Sequence, residues 1–227
     1  MVSVAISQSN YVPWKGYFDL IRSVDQFVVF DTVQFTKRDW RNRNKIIGTS
    51  GEPIWLTIPV ASKNKSRALI KDIVVADQNW RKSHFLLIRS SYRKSSYYSK
   101  YESVFEELYL GSSEEKLSVI NFTFLKTFCG LLKIETPLTT SKEFSLNLTA
   151  SEKLLLECTR FNASVYFSGP SAKSYIDRKL FERNSIALKW MDYSKYLEYT
   201  QHSKLFTHNV SIIDMICNLG EDARNFF

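Results

Sequence analysis

The sequence predicts an α/β fold in which a mostly parallel, Rossmann-like sheet carries a helical insertion. Three observations predict it. The first 31 residues read as strand, loop, helix, strand, a βαβ unit that implies parallel pairing and a right-handed crossover. The second of these strands contains Phe27-Val28-Val29-Phe30, apolar at every position, the mark of a strand buried on both faces. A chain of 227 residues, 44% of them hydrophobic, also has enough apolar surface to cover a sheet on two sides.

Taken in order, Val2–Ser7 is short, β-branched and apolar, a buried strand. Gln8–Pro13 is a loop, because Pro13 disfavours helix at Val12. Trp14–Val24 sets Phe18, Leu20, Ile21 and Val24 on a helical face, and Gln26–Phe30 is the next strand. Lys45–Ile47 and Ile54–Val60 pair through a turn near Ser50-Gly51, and a further strand is expected at Ile70–Val75. The pattern then turns helical over Asn79–Ser91, Tyr97–Leu110 and Ser113–Leu132. Ile134–Pro137 is a short strand or link, and Ser141–Leu146 is extended. Ala150–Phe161 and Ala172–Glu182 read as helices, Ser164–Phe167 and Ile186–Trp190 as strands. A last helix, Val210 to Asn218, stops at Gly220 as its C′ glycine. No repeat or linker divides the chain, so 1–227 is expected to be one α/β domain with a mostly helical insertion or cap over 79–132.

Composition excludes several classes. There is no apolar run of about 18 uncharged residues for a membrane-spanning helix. The segment Met1–Gln8 has neither the basic region nor the long apolar region of a signal peptide. Cys129, Cys158 and Cys217 are far apart and odd in number, which rules out a disulfide scaffold and a paired CxxC zinc site and points to a reduced, cytoplasmic setting. With seven glycines and no GxGxxG or GxxxxGK[ST], no glycine-rich phosphate loop is present. The net charge is +8, and most of the excess sits between Thr36 and Lys71, where Lys37, Arg38, Arg41, Arg43, Lys45, Lys63, Lys65, Arg67 and Lys71 face only Asp39 and Glu52. Such a cluster is either a solvated positive face or a site for nucleic acid or for the phosphates of a nucleotide or nucleotide-sugar.

In parallel sheets ligands sit beyond the C-terminal ends of the strands, here Ser7–Asn10 and Asp31–Gln34. Gln8 and Asn10 are candidates to hydrogen-bond a base or sugar, with Tyr11 and Trp14 to stack on it; the alternative is a turn in which Asn10 bonds its own backbone. Asp31 is a candidate general base or a simple cap. Lys37, Arg41, Arg43 and Asn44 are dense in donors, and either helical or strand spacing brings two or more cationic groups together to hold phosphates. His84 is the second catalytic candidate, as an acid/base near pH 7, although a lone helical histidine is more commonly structural. Ser168 and Lys173 line a substrate loop or form an ordinary strand–helix connection. His202 and His208 lack a third ligand nearby, so no metal site is expected. Asp214 lies in an apolar helix and must find partners there, and the cysteines read as inert core thiols.

Four blocks carry a family resemblance. Ile6-Ser-Gln-Ser-Asn-Tyr-Val-Pro-Trp-Lys-Gly-Tyr-Phe-Asp19 resembles the N-terminal signature of the WbqC-like proteins, and Phe30-Asp-Thr-Val-Gln-Phe-Thr-Lys-Arg-Asp-Trp-Arg-Asn-Arg-Asn-Lys45 resembles their second block. Tyr166-Phe-Ser-Gly169 with Lys173, Tyr175 and Asp177, and Ser211-Ile-Ile-Asp-Met-Ile-Cys-Asn-Leu-Gly220, are similar to the third and fourth. The resemblance implies an origin in surface-polysaccharide (O-antigen, capsule) gene clusters and a role in modifying a sugar or nucleotide-sugar. In one departure, the family's usual His-Gln-Pro start is Ser7-Gln8-Ser9 here, and serine is no base near neutral pH. The opening segment is also similar to the start of pantothenate synthetases and other nucleotidylyltransferase-like proteins with an HxGH motif, with Trp14 and Tyr17 standing around Gly16 where those proteins place ATP-binding histidines.

The resulting expectation is a cytoplasmic enzyme that transfers an acyl or aminoacyl group, for example glycyl, to the amine of a nucleotide-linked amino-sugar. The donor is an acyl or aminoacyl carrier, aminoacyl-tRNA among the options, and ATP is the cofactor if the carboxylate is activated in place. The rivals are a non-catalytic nucleotide-sugar-binding protein and an RNA-binding module.

Overall fold

The chain opens with β1 (Ser3–Ser7), α1 (Lys15–Arg22) and β2 (Gln26–Val29), the expected βαβ unit. An antiparallel hairpin follows, β3 (Arg43–Ile47) and β4 (Pro53–Thr57), and then three helices, α2 (Asn79–Tyr92), α3 (Tyr98–Leu110) and α4 (Leu117–Leu131). The chain returns to the sheet through β5 (Leu138–Thr140), α5 (Ala150–Arg160), β6 (Val165–Ser168), α6 (Arg178–Arg183) and β7 (Ala187–Trp190), and ends with α7 (Ile212–Leu219). The structure is a computed structural model describing residues 1–61, 68–145 and 147–227, so the basic residues Lys63, Lys65 and Arg67, and Leu146, lie outside the described residues.

The main sheet has the order β5-β2-β1-β6-β7, and every neighbouring pair is parallel. Counting its strands along the chain gives the doubly wound order 3-2-1-4-5, which reverses direction between β1 and β6. In such sheets the loops leaving the two strands at the reversal diverge to opposite faces and leave a crevice.

Both faces are covered because side chains alternate along each strand. Ala5, Phe27 and Val29 pack with α1, the hairpin, α2–α4 and α7 in one apolar cluster. Val4, Ile6, Val28 and Phe30 turn the other way, against Leu154 and Cys158 of α5 and Phe181 of α6. Burial pushes the Cys129 and Cys158 thiols up to about 12, so they stay protonated.

Two elements differ from the sequence reading, and a third resolves an alternative in it. Ile70–Val75 is not a strand: Ile70 and Ile73 are both buried at a spacing of three, which suits the 3-10 turn Ile70–Asp72, and Val74 and Val75 make only single bridges to Lys116 and Val60. Of the two readings of Ile134–Pro137, strand or link, the structure has the link: the strand begins at Leu138, and Pro137, which has no N–H, contributes only its carbonyl, to Phe27 N at 3.0 Å. The helix expected over Ala172–Glu182 is split into a 3-10 turn, Pro170–Ser174, and α6, which restarts where the Asp177 side chain accepts from Leu180 N at 3.2 Å. Helix α7 is capped by Ser211 and stops at Gly220 as expected, but Gly220 is its C-cap rather than a C′ residue in the αL conformation: its φ of +60° with ψ of −130° is a region that suits glycine.

Candidate functional site

A cleft of about 740 Å³ opens at the β1/β6 reversal. One wall is the segment after β1, with Gln8, Asn10 and Trp14; the opposite wall is the segment after β6, with Ser168, Pro170 and Tyr175. Arg41 lines it as well, and it is the one charged side chain among the described lining residues.

The β1 loop is held under strain. Val12 is fully buried at φ +38°, a conformation that β-branched residues rarely adopt and that costs on the order of 1–3 kcal/mol. Asn44 holds it there, donating from Nδ2 to the Val12 carbonyl at 2.8 Å and the Tyr11 carbonyl at 3.3 Å. The Tyr17 hydroxyl donates to the Gln8 carbonyl at 2.8 Å, and Asp31 Oδ1 accepts from Ser9 N at 2.8 Å. Gly16 lets the Trp14 indole fold back over α1: a Cβ at that position would stand 2.3 Å from Trp14 Cζ2.

Residues 191–210 form a strap beside this wall. Tyr193 lies edge-on to Trp14 at 5.0 Å and lines the cleft. The strap is fastened by the Tyr196 hydroxyl, which donates to Asp19 Oδ2 at 2.7 Å, and by Lys15 Nζ, which donates to the Leu197 carbonyl at 3.0 Å. Lys15 is 3% exposed, and burial lowers its ammonium to about 8.

Arg41 is buried, yet among the described residues its guanidinium makes one hydrogen bond, Nη1 to the Ser9 carbonyl at 3.3 Å, and one 3.7 Å ion pair, Nε to Asp39. A guanidinium carries five N–H donors, so most of its capacity is unspent on the cleft wall. Burial lowers its affinity for the proton, while Asp39 and Asp31 work against that change.

Of the residues singled out in the sequence, Gln8, Asn10, Trp14, Arg41 and Ser168 meet at this cleft. The expected convergence of Arg41 with Arg43 does not occur. Residues 37–42 are turns and a bend, β3 starts only at Arg43, and strand alternation therefore does not link the two; Arg43 stacks on Trp55, 3.4 Å from the ring centroid. Lys37 is exposed and Lys173 lies 5.8 Å from the Trp190 ring centroid, both outside the lining. Asn44 lines a smaller adjoining pocket. Asp31 is buried on a separate cavity of about 310 Å³ shared with Thr32, Ser141 and Phe122, and burial raises its carboxyl.

Tyr11 and His84 meet each other in the core rather than in the cleft. The Tyr11 hydroxyl lies between His84 Nδ1 at 2.9 Å and the Tyr109 hydroxyl at 2.7 Å, and Trp80 and Phe124 pack around its ring. Burial lowers His84 to about 4, against a smaller opposing pull from the Thr57 backbone. Because the folded state holds this imidazole neutral, it binds fewer protons than the unfolded chain between pH 6.5 and 4, and stability falls as the pH drops through that window. Urea unfolding at pH 7 and pH 4.5 should show about 2 kcal/mol of this loss disappearing in His84→Gln. The raised carboxyls of Asp31 and Asp214 act in the opposite sense, so the difference between wild type and variant isolates the histidine.

Tyr17, Tyr166 and Tyr175, which the sequence placed only through its family resemblances, also line the cleft, and sequence reasoning missed Tyr193. One signal existed for it: Tyr193, Tyr196 and Tyr199 recur in a stretch with no periodic apolar pattern, and aromatics in a coil must cover something.

Fold and cleft together define a doubly wound, Rossmann-like α/β protein with an aromatic-walled cleft at its topological switch point. The WbqC-like protein family matches residues 8–226, and the chain belongs to that family. The uncharacterized protein Rv1507c of Mycobacterium tuberculosis is 38% identical over 226 residues, covering 100% of this chain and 97% of its own length. No solved structure matches the chain. No helix among the described residues is long and apolar enough to cross a membrane.

Proposed function

We propose that the cleft binds a nucleotide-linked amino-sugar and that the protein transfers an acyl or aminoacyl group, such as glycyl, to its amine, as a cytoplasmic enzyme of surface-polysaccharide (O-antigen) synthesis. The observation that carries the reading is Arg41, a buried guanidinium with unspent donors on the wall of an otherwise uncharged cleft. That arrangement suits a phosphate, which a guanidinium grips through two oxygens at once. Trp14, Tyr175 and Tyr193 offer flat faces for a base or sugar, and Gln8, Asn10 and Ser168 offer polar groups for its hydroxyls. The family resemblance supplies the sugar context.

In this reaction the sugar amine attacks the carbonyl carbon of an activated ester, on tRNA or, with ATP, as an adenylate. The C–N bond forms, the ester C–O bond breaks, and the amine proton leaves with the departing oxygen. An activated ester needs chiefly placement, and holding the two reactants together supplies much of the barrier reduction. Asp31 and His84 act here by positioning: Asp31 fixes Ser9, and His84 braces Tyr11 beneath the loop.

One observation favours a second reading, a nucleotide-sugar-binding protein without catalysis. The described lining holds no carboxylate, histidine, cysteine or lysine, and Ser7 stands where the family resemblance leads one to expect a histidine.

Thermal melting against nucleotides, nucleotide-amino-sugars and short RNAs tests the proposal. A nucleotide-amino-sugar at a hundred times its Kd should add roughly 2.7 kcal/mol. A donor-dependent mass increase of that sugar then supports transfer, while binding without it supports the second reading. Stabilisation by RNA alone, weakening steeply with salt, would overturn both.

A further inference from the structure

A pocket of about 210 Å³ adjoins the cleft and shares Asn10 and Trp14 with it; Trp40, Asn44 and Asn209 complete its lining. We infer that this side pocket is a subsite for a single uncharged sugar ring, stacked on an indole and hydrogen-bonded by carboxamides. The inference rests on the reading of the cleft as a nucleotide-sugar site only for what joins the ring to the rest of the ligand.

Three features set the ligand class. First, no charged side chain is among the lining residues, so a carboxylate or phosphate placed there would be desolvated without a partner. Second, the volume lies below the roughly 300–1,000 Å³ of pockets for drug-sized ligands, room for one ring rather than a nucleoside. Third, the chemistry of the walls is two-sided. Trp14 and Trp40 line it with apolar rings suited to C–H groups, and the carboxamides of Asn10 and Asn209 offer donors and acceptors for hydroxyls.

The asparagines differ in how they are held. Asn44 is fixed at both ends, donating to the Tyr11 and Val12 carbonyls and accepting from Lys45 N at 2.8 Å, so it is a rigid wall. Asn10 Oδ1 is buried with no hydrogen-bond partner, an acceptor that a sugar hydroxyl or amine would satisfy. Trp40 is 42% exposed, an unusual setting for an indole, and packs against Trp55 with ring centroids 5.7 Å apart. Trp55 is already covered by the Arg43 guanidinium, which leaves Trp40 as the open stacking surface.

Calorimetric titration of wild type, Trp40→Ala and Asn209→Ala with uridine diphosphate, UDP-N-acetylglucosamine and free N-acetylglucosamine tests the subsite. Both side chains are exposed and outside the main cleft lining, so both variants should fold, which melting checks. Each variant should lose about tenfold or more in affinity for the nucleotide-sugar while its affinity for uridine diphosphate stays unchanged. Unchanged affinity for the nucleotide-sugar in both variants would overturn the subsite and leave the cleft reading intact. If neither nucleotide binds the wild type, the cleft reading fails, and the free sugar decides the subsite: binding lost in Trp40→Ala upholds it, and no binding overturns it.

Discussion

Arg41→Ala is expected to weaken binding of a nucleoside diphosphate or its sugar conjugate by about thirtyfold or more, while Arg43→Ala stays within about twofold. The contrast follows from where the two guanidinium groups sit. Arg41 is 9% exposed, lines the cleft and holds one hydrogen bond of its own, so a phosphate there meets a desolvated cation with free donors. Truncating one member of a buried, hydrogen-bonded charge pair typically removes about 2–5 kcal/mol, of which the lower end is already thirtyfold. Arg43 spends its cation on the Trp55 face and does not reach the lining. Arg41→Lys keeps the charge without the fork and should fall between the two. Affinity is read by calorimetric titration, and melting of the free variant separates binding from folding, since Arg41 also faces Asp31 and Asp39 and its loss leaves those carboxylates less compensated. Wild-type affinity in Arg41→Ala would remove the phosphate from this cleft.

Much of the frame was legible because it is written in short-range patterns. The unbroken apolar runs Val4–Ile6 and Phe27–Phe30 announce strands with two buried faces, and the sheet divides their side chains between the two clusters as the pleat requires. From that frame the ligand side followed, and Gln8, Asn10, Trp14 and Ser168 were found there. What the sequence concealed depends on long-range packing. Tyr11 follows the polar run Gln8-Ser9-Asn10 in a loop, yet it is buried under α2 and α4, beside the strained Val12, where His84 and Tyr109 satisfy its hydroxyl. The divergence of Arg41 from Arg43 depends on where β3 begins, and a turn of charged residues gives no periodicity to locate that boundary. Tyr193 was missed for a third reason: the recurrence of Tyr193, Tyr196 and Tyr199 marks aromatics that cover something, but in a strap without secondary structure only the fastenings show what they cover.

Those fastenings make the second large prediction, Asp214→Ala. The carboxylate is fully buried in the first turn of α7, and it accepts from three neutral donors: the Tyr92 hydroxyl on Oδ1 at 2.9 Å, and the Tyr199 hydroxyl and Gln201 Nε2 on Oδ2, both at 2.6 Å. Tyr92 in turn accepts from Ile47 N at 3.0 Å, so one side chain joins the hairpin, α2, α7 and the strap. Removing it strands the buried Tyr92 hydroxyl at about 1–3 kcal/mol and takes an acceptor from the half-buried Tyr199 and Gln201, the latter keeping the Thr207 carbonyl, so the loss should be about 2–4 kcal/mol. Urea unfolding at pH 7 measures it. Asp214→Asn keeps one acceptor oxygen and the volume and should lose less. The cleft should register the change as well. Tyr199 and Gln201 hold the strap that carries Tyr193 against Trp14, so even at temperatures where Asp214→Ala remains folded, its affinity for the nucleotide-sugar should drop and its strap should be cut faster by protease. A variant that loses stability while keeping both its strap protection and its affinity would show that the α1 fastenings alone, through Asp19 and Lys15, position the cleft wall.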